Sequence, residues 1–271
     1  MAQQDSIRPM LLEARREVSI GIRASEEWQP SYKKHPATFK TLLLHEAQLE
    51  ESVAEYLAGL ADRAPNYIDW SLIPEPVQVT AASSPLANKD DAVWEGEALD
   101  LTKAVIEAIT LLVATGGQYG ELEYGIDLGI TSLSESILVA AREQTAALVS
   151  QVTETNRKLI REAIKQSIAR GEDVDGTIAR IKKVINNPVR AEMIAQTESV
   201  NAYGRGLYDF ATTTGAKTKT WEALAGACKI CAPIDGQTVP IDKPFVLGNG
   251  KEVMHPGCHP RGRCGAYYNY D

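Results

Sequence analysis

Aromatic residues are scarce in this chain: 3 Phe, 4 Trp and 10 Tyr make up 6% of 271 residues. A β-sandwich draws on more rings than this, whereas plentiful alanine and leucine suit helices. No run of eighteen apolar residues occurs, which argues against a membrane-spanning helix. The opening residues Met1-Ala-Gln-Gln-Asp-Ser are polar and hold no apolar secretory stretch, so a reducing cytosol is the expected place of folding. Positive charge is in deficit: 28 Lys and Arg against 36 Asp and Glu give a net charge of −8. That balance argues against broad, sequence-independent nucleic-acid binding. No His-Glu-x-x-His helix or His-x-Glu motif is present, so the known signatures of catalytic zinc are missing. With 44% hydrophobic and 24% charged residues the chain is ordinary globular material, long enough for one or two domains and a sizeable core.

Cysteine and histidine are rare as well, at 4 each, yet they are not scattered. All the cysteines and two histidines fall near the C-terminus, as Cys228-Lys-Ile-Cys231 and then His255-Pro-Gly-Cys258-His259-Pro-Arg-Gly-Arg-Cys264. Two cysteines separated by two residues can turn both sulfurs toward one ion, and a second pair from a distant loop closes a tetrahedron. Disulfides or free thiols are the competing readings. Nothing around Cys228 resembles the strand–helix setting of a thioredoxin-like redox motif. Six groups compete for four positions: Cys228, Cys231, Cys258, Cys264, His255 and His259. Four filled protein positions make a structural zinc with no room for a catalytic water.

Helical spacing dominates the rest. After a short amphipathic stretch at Ile7–Ile22, Pro36-Ala-Thr opens a pattern carrying Phe39, Leu42, Leu43, Leu49, Val53, Tyr56, Leu57 and Leu60, closed by Ala64-Pro-Asn. Such a stripe is most simply a core face; docking onto a partner is the alternative. Residues 65–92 are proline-rich and read as a linker. A second helical run from Trp94 to Val113 is expected to end at Gly116-Gly117, with a connector to Gly129. Gly116-Gly-Gln-Tyr-Gly120 lacks a following Gly-Lys-Ser/Thr and is no phosphate loop. Four helices should follow: one capped by Ser132 or Ser134 and running to about Ser150, one from Thr153 to Gly171, one from Asp173 or Asp175 to Asn187, and one from Pro188 to about Thr213 with Gly215 as terminator.

The chain then becomes β-prone at Lys217–Trp221, turns at Ile234-Asp-Gly-Gln, continues through Thr238-Val-Pro and ends in a strand at Arg263–Tyr268. This terminal element has too little core of its own, which is the physical reason for a staple. The expected fold class is α+β, predominantly helical: a helical body followed by a small C-terminal β element stapled by zinc. Cations outnumber acids from Arg157 to Arg190, giving a solvated face or a surface that meets DNA or an acidic partner.

The residues from Arg190 onward, first Arg190-Ala-Glu-Met-Ile-Ala-Gln-Thr-Glu198, then Asn201-Ala202, Lys219, Trp221 and the Cys228–Cys231 pair, resemble the phage Mu F-like minor head protein family. Arg190-Ala-Glu-Met-Ile-Ala-Gln-Thr-Glu198 matches its Arg-Ala-x-x-Ile-Ala-x-Thr-Glu helix. Asn201-Ala202, Gly206, Gly215, Lys219, Trp221, the Cys228–Cys231 pair and Ala232–Gln237 follow in the family's order. The family's terminal His-Pro-x-Cys-Arg-Cys is split here. His255–Cys258 fits its first four positions and Arg263-Cys264 its last two; alternatively His259–Cys264 fits throughout except that Gly262 stands for a cysteine. Gln196 also stands where a cation is common. The resemblance covers about residues 150–266. It implies a minor capsid or head morphogenesis protein of a tailed bacteriophage, in the virion near the portal vertex, with portal and other head proteins as partners and a role in head assembly or DNA delivery. It implies residues 131–271 as the family domain, with a Cys/His module near 217–268, and 1–130 as an N-terminal helical region. No enzyme activity, membrane or small-molecule substrate is expected. Arg190, Thr197 and Glu198 are then structural, tying their helix to the β element, and the Phe39–Leu60 stripe is a candidate portal contact. Two alternatives stand beside this: a zinc-ribbon nucleic-acid binder using Arg261 and Arg263, and a transferase-like or toxin-related domain.

Overall fold

The computed structural model describes residues 35–73, 85–88, 91–224, 226–257 and 259–271. The Ile7–Ile22 stretch, much of the proline-rich linker and Cys258 lie outside the described residues. Among the described residues five α-helices come first: α1 (Pro36–Arg63), α2 (Ala92–Tyr124), α3 (Glu135–Arg170), α4 (Val174–Ile185) and α5 (Pro188–Thr213). Five short strands follow: β1 (Thr218–Glu222), β2 (Thr238–Pro240), β3 (Phe245–Val246), β4 (Glu252–Val253) and β5 (Gly265–Asn269). The protein is mostly helical with a small antiparallel sheet at its C-terminal end. That sheet has the order β2-β1-β5, with Thr218 opposite Pro240 on one side and Asn269 on the other. β3 and β4 form a separate hairpin that the sequence pattern did not reveal.

Helix α2 is the hub, packing on α1, α3 and α5. It does not end at Gly116-Gly117 but runs to Gly125, whose left-handed φ of 67° stops it. The glycines serve contact instead. A Cβ on Gly116 would collide with the Tyr203 carbonyl oxygen, one on Gly206 with that of Val113, and one on Gly120 with the Phe210 ring. Two backbones therefore meet at the α2–α5 crossing, where any larger residue would hold them apart.

The two helices expected between Ser132 and Gly171 are one, α3, of 36 residues and about 54 Å. Gln151-Val-Thr contains no glycine or proline, and a β-branched pair lowers helix propensity too little to break a helix packed on both sides. Thr153 is thus interior, not a cap. Ser134 occupies the N-cap position, but its hydroxyl accepts from the Thr131 N–H and the Ser132–Glu135 capping box does not form. Asp173 caps α4 by accepting from Gly176 N–H at 2.8 Å, and Asn187 caps α5 from Val189 N–H at 3.1 Å. Gly215 follows α5 with φ 84°.

The apolar stripe of α1 is core. Leu42, Leu49, Val53, Leu57 and Leu60 are almost wholly buried, and Tyr56 nearly so. Partner docking on that stripe is therefore corrected: its side chains already fill the α1–α2–α5 interior.

Candidate functional site

Local backbone explains how the cysteine pair is aimed. The Cys231 N–H donates to the Cys228 carbonyl at 3.1 Å and the Ala232 N–H to the same oxygen at 2.9 Å, winding Cys-x-x-Cys into one tight turn. Asp235-Gly236 then reverses the chain, with Gly236 at φ 72° and the Asp235 carboxylate accepting the Ala223 N–H at 2.8 Å. Gly236 N–H meets the Trp221 carbonyl at 2.9 Å, which anchors the turn to β1. Trp221 and Phe245, edge to face at 5.1 Å, form a small core beneath it.

The second arm is the loop from His255 to Cys264. Gly257, at φ 108°, lies so close to Asn201 that only a residue without Cβ fits, which seats the loop on α5. Arg261 is held in the left-handed region at φ 57° by two contacts: its N–H donates to the Thr197 hydroxyl at 3.1 Å, and its guanidinium meets Glu192 at 3.2 Å. His259 is thereby turned toward the first arm. Its Nε2 lies 3.4 Å from Cys228 Sγ and 3.1 Å from Cys231 Sγ.

Among the described residues, Cys228, Cys231 and His259 form a cluster that could hold a metal ion, their ligand atoms all within 4.8 Å of one another. Two ligands of one tetrahedral zinc, with bonds of about 2.3 Å to sulfur and 2.0–2.1 Å to nitrogen, sit roughly 3.6 Å apart, so the spacing fits. The hydrogen bonding of the ring fits too. His259 Nδ1 is 3.0 Å from the Pro260 carbonyl, which can only accept. Nδ1 then carries the hydrogen in the neutral ring, leaving the Nε2 lone pair facing the sulfurs. Cys264 is buried beside Cys231, whose thiol pulls that of Cys264 down to about 7. Among the described residues it is a further thiol beside the pair, outside the three-residue cluster. His255 points elsewhere: its Nδ1 donates to the Pro256 carbonyl at 2.9 Å, and its ring lies against Tyr208. Burial holds its pKa down at about 4.

The module is fastened to the helices by cations that the sequence did not mark as pivotal. Arg263, next to Cys264, makes a bidentate pair with Glu46 of α1 at 2.6 and 2.7 Å, both residues buried and 217 positions apart. Lys219 is wholly buried, its ammonium donating to the Met254 carbonyl at 2.7 Å and lying 4.6 Å from the centre of the Tyr208 ring. Desolvation lowers its pKa to about 8. Lys219 stood in the family motif, but strand alternation alone gave no hint that its charge would face inward.

The remaining motif residues divide. Thr197 contacts the His255–Cys264 loop through Arg261. Glu198, raised above its ordinary pKa by burial, accepts from Gln144 at 2.9 Å and Asn201 at 3.4 Å. Arg190 lies apart from both, near Tyr56 of α1, with burial pulling its pKa down to about 10. The basic stretch is also partly spent internally. Arg157 is buried against the Trp94 ring, Arg180 pairs with Glu172, and Lys182 pairs with Asp62 at 2.9 Å. Lys158, Lys165, Arg170 and Lys183 remain exposed.

No helix among the described residues is long and apolar enough to cross a membrane. Comparisons with curated proteins and with solved structures found no match. One family model does match, over the part of the chain that carries α4, α5, the cysteine pair and the loop that brings in His259: residues 158–267 match the family described as Phage Mu protein F like protein.

Proposed function

We propose that the protein is a minor head protein of a tailed bacteriophage, acting in head morphogenesis at the portal vertex through protein contacts rather than catalysis. The observation that carries this is the match over residues 158–267, in which the Arg190–Glu198 helix, the cysteine pair and the terminal loop occur in the family's order. On this reading the protein is carried in the virion, residues 131–271 are the family domain, and 1–130 are an N-terminal helical region whose described helices α1 and α2 share a core with it.

A structural zinc belongs to the proposal. Cys228, Cys231, His259 and Cys264 would hold it, and bound there it would link two chain segments without offering an open position for substrate. Position 262 supports this set. In one of the two ways of matching the family's terminal pattern Gly262 stands for a cysteine, and the His259 Nε2 lies 3.2 Å from where a Cβ on Gly262 would sit. Here the imidazole occupies the space that the missing side chain leaves.

The zinc-ribbon nucleic-acid reading is weaker, because Arg261 and Arg263, its two cations beside the cluster, are engaged by Glu192 and Glu46. DNA contact through residues 157–190 rests on the four exposed cations that remain. The test is co-expression with the portal and capsid proteins of the same phage. The protein should co-purify with the portal or enter procapsids at low copy number. Particles that never contain it would overturn the reading, and a salt-sensitive DNA shift by the protein alone would favour the nucleic-acid alternative.

A further inference from the structure

We infer that the end of the α2–α3 hairpin is a docking surface for a basic, apolar segment of another head protein; this rests on the head-protein reading above. Leu122, Leu128, Leu133 and Val139 are 59%, 46%, 82% and 41% exposed, and all lie within one helix–loop–helix corner. The corner is built to hold its shape. The Glu121 carboxylate accepts the N–H groups of Leu128 at 2.8 Å and Ile130 at 2.9 Å, and Gln118 donates to the Ile130 carbonyl at 3.0 Å. The Ile130 side chain packs over Gly117, and Thr131 and Ser134 tie the turn into α3. These polar bonds fix the loop, so a polar residue could replace the largely exposed Leu133 at little structural cost. Fixed, solvent-facing leucines in a group are the signature of a contact surface, not of a core.

Charge selects the occupant. No Lys, Arg or His occurs between Lys103 and Arg142, while Glu107, Glu121, Glu123, Asp127 and Glu135 do. Glu121 is used inside the loop and Glu123 faces His35, but Asp127 and Glu135 are exposed at the corner. Apart from Arg142, one turn beyond Val139, and His35 against Glu123, the described corner carries no cation, and so little positive charge gives little to a phosphate, which disfavours nucleic acid and anionic lipid. Leucines rimmed by carboxylates fit a protein segment that carries leucine-like side chains flanked by Lys or Arg.

The test uses the full chain produced with the phage's own head proteins, as wild type, as Leu128→Asp/Leu133→Asp, and as Leu133→Ser alone. The copy number of each in purified head particles is measured by quantitative mass spectrometry. Melting temperatures of the free proteins control for folding. The double variant should fall about tenfold or more in particles, and the single variant should fall measurably, with melting unchanged. A zero-length carbodiimide reagent should join Asp127 or Glu135 of the wild type to a lysine of another head protein. Wild type and both variants present at equal copy would overturn the surface and leave the head-protein reading intact. Wild type absent from all particles would overturn both. Cross-links joining only two copies of this chain would overturn the assigned occupant.

Discussion

At the scale of single residues, the polar groups inside α5 and its loop are where sequence and structure diverge most. Glu198 sits among amide donors, and burial is the main influence on it, raising its pKa. A neutral isostere should therefore be tolerated: Glu198→Gln should change stability by less than about 1 kcal/mol at pH 7. Glu198→Leu, which strands the amides of Gln144 and Asn201, should cost about 1–3 kcal/mol by urea denaturation. Equal losses from both would mean that the charge itself is needed. His255 supplies a pH test. Its folded pKa of about 4 lies below the ordinary 6.5, so between those values the unfolded chain takes up a proton that the folded ring refuses. The contribution is complete above pH 6.5 and is lost as pH falls toward 4. A single proton limits the slope to about 1.4 kcal/mol per pH unit. His255→Asn keeps a donor for the Pro256 carbonyl and should lose less stability than wild type between pH 7 and pH 5. An identical loss would remove His255 as the cause. The motif spacing told which residues matter here, but not whether each sits in water, beside a carbonyl or beside an amide; burial decides that, and burial is a property of the whole fold.

At the scale of elements, periodicity served well where one helix face is buried and badly where a helix is buried on several. The bounds of α1, α4 and α5 were legible because Pro36, Asp173, Asn187-Pro188 and Gly215 punctuate them. α2 and α3 were cut short on paper because glycines and β-branched residues normally weaken a helix. Packing against α5 outweighs that preference, which no local pattern can state. The same holds for Glu46 and Arg263. Nothing links them in sequence, yet their ion pair joins the first described helix to a residue two positions before the last strand. Breaking it from one side leaves a buried guanidinium without its carboxylate, so Glu46→Ala should cost about 3–5 kcal/mol. Glu46→Leu combined with Arg263→Met removes both charges and should cost clearly less. A double variant as unstable as the single one would mean that the pair contributes net stability and not only mutual neutralisation.

At the scale of the whole molecule, the helical body and the terminal module differ in what holds them. The body has a continuous apolar interior along α1, α2, α3 and α5. The module has Trp221, Phe245, Ile234 and Leu247 beneath three short strands and a hairpin, with its two arms meeting at Cys228, Cys231 and His259. A core so small needs a staple, and the ion should act on the module far more than on the body. Protein purified under reducing conditions should contain about one zinc per chain. Chelation, Cys231→Ser or His259→Ala should each raise hydrogen exchange across 228–236 and 255–264. Helical circular dichroism should stay nearly unchanged, because the Arg263–Glu46 pair and the contact of Tyr268 N–H with the Tyr124 hydroxyl at 2.8 Å still hold β5 to the body. Zinc far below one per chain with full protection of both arms would show that the thiols and imidazole pack without a metal. Loss of the helices together with the module would show that the ion supports the entire fold and not the terminal module alone.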